Sequence, residues 1–179
     1  NLKWMRGLTL DYPNASNSLG MSSSPIIAGN TLIAQVENDS ESFAAGFDLL
    51  TGVNRWKIDR PKMANWTSPV TMQMDGKVIV ALQSGKGVTG ISPSTGSKLW
   101  NFSSGAATIP SGAAAGNTLI IPSRGMTAVK PNPLGGEPVS LWNQKTQKPA
   151  TASPLIMEDT IYFTNSAGVL TAADRKTGK

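Results

Sequence analysis

Short apolar stretches alternate with polar turns along most of the chain. The first four lie at residues 24–27, 31–36, 43–48 and 53–58, and each has a length typical of a β-strand. Gly29-Asn30 separates the first two stretches, and such a pair between apolar residues is a hairpin signal. No segment keeps a helical period over the length of a helix. The pattern therefore predicts four antiparallel strands joined by turns.

The same succession of strands returns at a nearly constant interval. Each group opens with a serine, and these serines are spaced by about 43 residues, as in repeat proteins. They are Ser24, Ser68, Ser111 and Ser153. Three tryptophans keep nearly the same spacing: Trp56, Trp100 and Trp142. The later strands are predicted at residues 68–72, 77–82, 87–91, 98–102, 111–114, 118–121, 126–129, 139–143, 153–157, 160–164 and 168–173.

The interval divides the chain into repeat units. The predicted units are residues 24–67, 68–110, 111–152 and a truncated unit at 153–179. Residues 1–23 are predicted to hold the last strand of a preceding unit, around Trp4 at residues 2–6, and a loop at residues 9–23. Four short antiparallel strands per unit are typical of a β-propeller blade, and stacked blades bury each other's faces. The prediction is an all-β fold in which residues 1–179 form one partial propeller region of about four blades.

The composition limits the chemistry that the chain can perform. Cysteine and histidine are both absent, so the chain can build no disulfide, no Cys/His zinc site and no Ser-His or Cys-His catalytic pair. The net charge is +5, but the basic residues form no dense run, which argues against nucleic acid as a partner. No apolar run reaches the roughly 18 residues of a membrane span, and no signal peptide is recognisable.

The recurrent residues have a structural interpretation. Trp56, Trp100 and Trp142 are predicted to pack between blades, because a large ring fills the space between stacked sheets and its N–H can reach a backbone acceptor. The Thr-Gly pairs are predicted turn residues, because glycine accepts a positive φ. Asp48 and Asp174 recur in one register, and we expect them to accept backbone hydrogen bonds where a strand enters its turn.

The acidic stretch at residues 37–41, Glu-Asn-Asp-Ser-Glu, carries alternating oxygen-bearing side chains of the kind that calcium favours. The stretch is too short for a known calcium loop and lacks its glycine. We therefore predict a solvated hairpin tip. No metal ligand, cofactor-binding residue or catalytic acid/base pair can be assigned from the sequence.

One motif recurs with the spacing small-x-Asp-x-x-Thr-Gly-x-x-x-Trp. This spacing resembles the repeat of quinoprotein-type propellers, the pyrroloquinoline quinone (PQQ)-like repeat proteins. The matching residues are Gly46, Asp48, Thr51, Gly52 and Trp56, then Gly90, Thr95, Gly96 and Trp100, then Ala172, Asp174, Thr177 and Gly178. Ser92 replaces the aspartate in the second copy. The third unit departs from the motif, with Lys130 at the aspartate position and an insertion at residues 131–138.

The resemblance implies a ring of seven or eight blades and two possible branches of the family. In PQQ-dependent dehydrogenases the quinone lies over a calcium ion, next to a disulfide of adjacent cysteines, and this chain has no cysteine. The other branch is non-enzymatic and includes the scaffold lipoprotein of the outer-membrane β-barrel assembly machinery. The resemblance favours a non-enzymatic binding or scaffold propeller of an exported bacterial protein, periplasmic or extracellular. The alternative is a fragment of a PQQ-dependent dehydrogenase whose quinone and calcium site lies outside this chain.

The predicted binding residues lie on one face of the propeller. Strands of a blade alternate in direction, so the loops after the second and fourth strands of each blade share a face, and the longest loops lie there. This loop face has an excess of basic residues and one tryptophan outside the repeat pattern. The candidates for contact with a protein or another cell-envelope component are Arg60, Lys62, Trp66, Lys86, Arg124 and Lys145.

Overall fold

The computed structural model describes residues 1–15 and 21–179, and its strands form four antiparallel sheets. The first sheet contains β1 (Ile26–Ala28), β2 (Thr31–Val36), β3 (Phe43–Asp48) and β4 (Asn54–Asp59). The second contains β5 (Val70–Met74), β6 (Lys77–Ser84), β7 (Gly87–Ile91) and β8 (Lys98–Phe102). The third contains β9 (Ala113–Ala115), β10 (Thr118–Pro122), β11 (Met126–Lys130) and β12 (Val139–Gln144). The fourth contains β13 (Leu155–Met157), β14 (Thr160–Thr164) and β15 (Leu170–Asp174).

Within each sheet the order of strands in space is their order along the chain. Each strand is hydrogen-bonded to the next through a short connection, and the hairpin predicted at Gly29-Asn30 joins β1 to β2. The predicted all-β fold with four-stranded blades is therefore confirmed, and we call the sheets blades one to four. The boundaries assigned to the repeat units stay a prediction.

The N-terminal segment differs from its prediction. Residues 2–6 form no strand, because no neighbouring strand among the described residues pairs with them. The predicted loop at residues 9–23 contains part of a helical turn, α1 (Leu8–Asp11), and a 3₁₀ turn, Pro13–Ala15. Residues 16–20 of that loop lie outside the described residues. The two turns place Leu8, Tyr12 and Ala15 against the apolar face of blade one, which includes Phe43, Ala45 and Phe47.

The core lies between the blades rather than inside any one of them. Ile33 and Ala44 of blade one pack with Val80, Leu82 and Ile91 of blade two. Equivalent clusters join blade two to blade three and blade three to blade four. Because each sheet has an apolar face on either side, the blades are stable only when they are stacked.

Three tryptophans make one repeated contact across blade boundaries. The indole Nε1 of Trp56 donates to Pro93 O at 2.9 Å, and its ring lies against Gly96, the turn glycine of blade two. Trp142 does the same with Arg175 O and Gly178 of blade four. Trp4 does the same with Leu49 O and Gly52 of blade one, although it lies in no strand. The predicted packing between blades is confirmed for Trp56 and Trp142, and Trp4 belongs to the same series.

Trp100 is packed between blades two and three without the hydrogen bond of the series. Its side chain is 1% exposed, and its Nε1 has no hydrogen-bond partner among the described residues. The turn that supplies the acceptor in the other blades is replaced in blade three by the insertion at residues 131–138. Part of this insertion lies instead on the outer strand of blade two, where Gly136 O accepts from Asn101 N–H at 3.1 Å.

The opening serines link the blades near their innermost strands. The backbone N–H of Ser24 donates to Ser68 Oγ at 2.9 Å, Ser68 N–H donates to Ser111 Oγ at 2.9 Å, and Ser111 N–H donates to Ser153 Oγ at 3.0 Å. Each bond crosses from one blade to the next. The serine spacing seen in the sequence therefore has a physical cause, because each hydroxyl satisfies a backbone donor of the preceding blade.

The turn aspartates behave as predicted. Asp48 Oδ1 accepts from the backbone N–H groups of Leu50 and Thr51 and from the hydroxyl of Thr51. Asp174 makes the corresponding bonds to the N–H and hydroxyl of Thr177. These bonds close the turn before the glycine, whose φ is +71° in both Gly52 and Gly178.

Candidate binding face

The loop face is formed by the connections after the second and fourth strands of the blades. In blade two these are the Gly85-Lys86 turn between β6 and β7 and the long connection that follows β8. Lys77 and Lys86 show how the two faces differ, because Lys77 is the first residue of β6 and Lys86 lies in the turn after its other end, and both are exposed. Lys86 lies on the loop face, and Lys77 lies on the opposite one.

Four of the predicted contact residues are exposed basic side chains on this face. They are Lys62, Lys86, Arg124 and Lys145. Within residues 1–15 and 21–179, none of the four forms a salt bridge with a carboxylate. Their charges therefore face solvent and are available to an acidic partner.

Shallow grooves along the blades divide these basic residues into three groups. A groove of about 1080 Å³ between blades two and three has Arg124 and Lys145 in its wall, together with Phe102, Asn143 and Glu137. A smaller groove of about 490 Å³ between blades one and two includes Lys86. Lys62 borders a third groove, beside blade one.

Trp66 is half-buried on the same face. Its backbone N–H donates to Thr108 O at 2.8 Å, which fastens the connection between blades one and two to the connection that follows blade two. The preceding residue, Asn65, forms an isolated bridge with Glu37. Trp66 is thus held in place by its backbone, with part of its side chain accessible.

The prediction that Arg60 is a contact residue on the loop face was wrong, because its guanidinium is buried inside the protein. Its Nε donates to Glu37 Oε1 at 2.6 Å, in an ion pair whose two side chains are both buried. Its Nη2 donates to Leu82 O and its Nη1 to Thr89 Oγ1, both in blade two. Arg60 therefore joins blade one to blade two and is not free to contact a partner.

Glu37 also differs from its prediction as part of a solvated hairpin tip. It is buried, as is Asn38, whereas Asp39 and Ser40 remain exposed. Burial raises the pKa of Glu37 above its ordinary value, and the charge and hydrogen bond of Arg60 act in the opposite direction. The signal for burial was present in the sequence, because Glu37 continues the two-residue alternation of Ile33 and Gln35 on β2.

A polar cluster surrounds this ion pair. Gln35 Nε2 donates to Glu37 Oε1 at 3.1 Å and to Gln83 O at 2.6 Å. Asn65 Nδ2 and the hydroxyl of Thr67 also donate to Gln83 O. Gln83 Nε2 in turn donates to Ala107 O at 2.7 Å. The cluster connects loops of blades one and two, and sequence analysis did not identify it because its members come from separate segments.

Two further features bear on function. Within the described residues, no three or more Asp, Glu, His or Cys side chains are grouped so that they could hold a metal ion. Residues 1–15 and 21–179 contain no helix that is long and apolar enough to span a membrane.

The repeated blades, the tryptophan contacts and the closed aspartate turns define a propeller of PQQ-like repeats. The chain belongs to the family described as outer membrane protein assembly factor BamB, whose model matches residues 13–111. No curated protein sequence matches the chain.

Solved structures resemble the chain over most of its length. The crystal structure of BamB from Moraxella catarrhalis has 17% identity and a TM-score of 0.59, and the match covers 88% of this chain and 47% of that one. The computationally designed Ika4 protein has 15% identity and a TM-score of 0.58, and the match covers 87% of this chain and 93% of that one. The chain thus spans about half the length of the BamB structure. At such identities the likeness shows the fold alone.

Proposed function

We propose that this chain is the binding part of a non-enzymatic scaffold propeller that holds a protein partner on its loop face. The observation that carries the proposal is a set of exposed basic side chains, Lys62, Lys86, Arg124 and Lys145, on the same face as the partly accessible Trp66. Among the described residues none of the four is paired with a carboxylate. Basic residues at a rim with an aromatic residue nearby are typical of protein interfaces, because charge steers the encounter and the ring contributes contact area.

The family supports a role in the cell envelope. Its description names outer membrane protein assembly, and a scaffold for that process would operate in the periplasm or at the inner surface of the outer membrane. The proposed partner is therefore a protein of the cell envelope with an acidic surface. The role requires neither quinone nor calcium.

The test is site-specific photo-crosslinking in cells that express the full-length protein. A photoreactive residue at Lys86 or Arg124 should give discrete protein adducts, because those side chains face the proposed partner. The matched control is Lys77, which is also an exposed lysine but begins β6 at the opposite face. Equal adducts from Lys77 and Lys86, or no adducts from any loop-face position, would refute the proposal.

A second measurement tests the enzymatic alternative. The purified protein is titrated with PQQ and calcium, and binding is followed by absorbance and by the midpoint of thermal unfolding. The scaffold proposal expects no shift of the midpoint. Micromolar binding that a chelator abolishes would instead support the dehydrogenase alternative, because a bound ligand stabilises the folded state.

A further inference from the structure

The outermost strand of each blade has one edge that pairs with no further strand of its sheet. In the three four-stranded blades, these edges differ in how they are protected from pairing with another chain. The edge of β4 carries charged residues, with Arg55 paired to Asp48 and Lys57 paired to Glu41. Charged side chains on an edge discourage pairing with another chain. The edge of β8 is covered in part by the insertion of blade three, through the bond from Asn101 N–H to Gly136 O. Within residues 1–15 and 21–179, neither protection is found at β12.

The edge of β12 is uncharged and unoccupied by the described residues. Its six residues include no charged side chain, and Val139 and Leu141 are 57% and 48% exposed. The strand is the last of its sheet, with β11 on its inner side. No main-chain hydrogen bond joins its outer side to residues 1–15 or 21–179. Such an edge is suited to adding another strand.

The register of the blades shows which donor is open. Asn101 lies opposite Thr89 in blade two, and Asn143 lies opposite Thr127 in blade three. In both pairs the asparagine and threonine side chains are also hydrogen-bonded. The N–H of Asn143 therefore occupies the position from which Asn101 N–H points outward to Gly136 O. Blade two thus shows, within this chain, that a backbone carbonyl of another segment can accept from the outward N–H at this register.

The surroundings of β12 indicate the charge of an incoming segment. Arg124 and Lys145 lie in the wall of the groove of about 1080 Å³ beside β12, and both are exposed. Glu137 lies before the start of β12, whereas Lys145 follows its end. Arg124 and Lys145 would attract acidic residues of an incoming segment to the end of β12, whereas Glu137 would repel such residues from its start.

We propose that β12 binds an extended segment of a partner protein by strand addition, with acidic residues of that segment placed against Arg124 and Lys145. Main-chain hydrogen bonds to the edge supply affinity, and apolar side chains over Val139 and Leu141 with acidic ones near the basic pair supply selectivity. This proposal rests on the proposed function, because it names the chemistry of the partner and the part of the surface where it docks.

The test uses a synthetic peptide of alternating valine and threonine that begins with two glutamates. The isotope-labelled chain is titrated with it, and backbone amide shifts are followed by NMR. Changes should concentrate at Val139–Gln144 and at Arg124. A twin peptide with N-methyl groups on the amides of its pairing edge cannot form the main-chain bonds. Its affinity should therefore be lower by a factor of roughly ten or more.

Charge exchange supplies the matched variants. Lys145→Glu should weaken the binding of the glutamate peptide. A peptide with lysines in place of the glutamates should bind to that variant again. Lys77→Glu on the opposite face should change neither. Lack of binding, equal binding of the N-methylated twin, or shifts confined to the Lys62 and Lys86 loops would overturn the proposal.

Two further results separate the possible failures. If Leu141→Lys converts a dimer to a monomer, the edge is occupied by a second copy of the chain, and the proposal is wrong. If loop-face crosslinks from Lys86 persist while the peptide fails to bind β12, the scaffold function stands and the strand-addition site is refuted. If the crosslinks fail while the peptide still binds at β12, docking on the loop face is refuted, whereas protein binding, the part of the proposed function on which the edge site rests, is retained.

Discussion

Trp56 and Gly96 touch across the boundary between blades one and two. A Cβ added at Gly96 would lie 2.7 Å from the indole ring, and the φ of Gly96 is +72°. Gly96→Ala should therefore reduce the free energy of unfolding by about 3 kcal/mol, through the clash and the left-handed backbone together. The control is Gly116→Ala, at a φ of +58° with nothing within 4 Å, which should cost about 1 kcal/mol. Chemical denaturation giving equal losses would contradict the contact.

Substitution of Trp100 measures how much packing between blades contributes to stability where the indole makes no hydrogen bond among the described residues. Trp100→Ala should cost about 3–5 kcal/mol in the free energy of unfolding, because a fully buried large side chain is deleted. The loss in the free energy of unfolding is then compared between Trp100→Phe and Trp56→Phe. Only Trp56→Phe also removes an indole hydrogen bond, the one to Pro93 O, which is worth about 1 kcal/mol. Equilibrium denaturation should show that excess for Trp56→Phe. A Trp100→Ala loss below about 1 kcal/mol would exclude the inter-blade role.

The buried pair of Glu37 and Arg60 should be strongly coupled. Glu37→Leu leaves an uncompensated guanidinium in the interior and should cost about 3–5 kcal/mol, and Arg60→Met should cost a similar amount. The double variant should be destabilised by clearly less than the sum, because neither charge is then left alone. Chemical denaturation of the four proteins measures the coupling. Additive losses would show that the two side chains act independently.

The exposed pair of Lys57 and Glu41 is the matched control for that cycle. It has a similar length, 2.9 Å, but both side chains are about a third exposed. Solvent screens such a pair, so its coupling should be less than about 1 kcal/mol. A coupling as large as that of Glu37 and Arg60 would mean that burial does not set the strength of these ion pairs.

Asp48 should lose its charge only in strong acid. The hydrogen bond from Arg55, followed by those from Thr51, lowers its pKa from 3.8 to about 2. A depressed carboxyl pKa contributes stability that is present above the unfolded value and is lost as pH falls through about 4 to about 2. Arg55→Gln should raise the pKa of Asp48, whereas Lys57→Gln on the same strand should not. NMR titration of the side-chain carboxyl measures both, and an unchanged pKa in Arg55→Gln would refute the assignment.

Local patterns predicted most of the secondary structure. Strand positions followed from alternation and turn residues, since both act over a few neighbouring residues. The predicted strand around Trp4 was wrong because a strand needs a hydrogen-bonded neighbour, and no local pattern reports one. Trp4 was nevertheless correctly assigned to the repeat. Its ring packs against Gly52 as the other tryptophans of the series pack against their turn glycines, and this contact does not require a strand.

The candidate site was predicted less completely. The sequence indicated that Lys62, Lys86, Arg124 and Lys145 belong to one face, because strand direction assigns each loop to a side. It treated Arg60 as one more surface charge. The burial of Arg60 depends on Glu37, Leu82 and Thr89, which come from three other segments and meet only in the folded protein.

The sequence by itself determined the blade pattern, the turn chemistry and the recurrent tryptophans, because each is encoded within one repeat. Tertiary structure decided which surfaces remain free. It covered the face of blade one with the turns around Tyr12 and placed Gly136 on the edge of β8, whereas no described residue covers the edge of β12. These outcomes depend on how separate segments pack in space, and a surface is free only when no distant part of the chain reaches it.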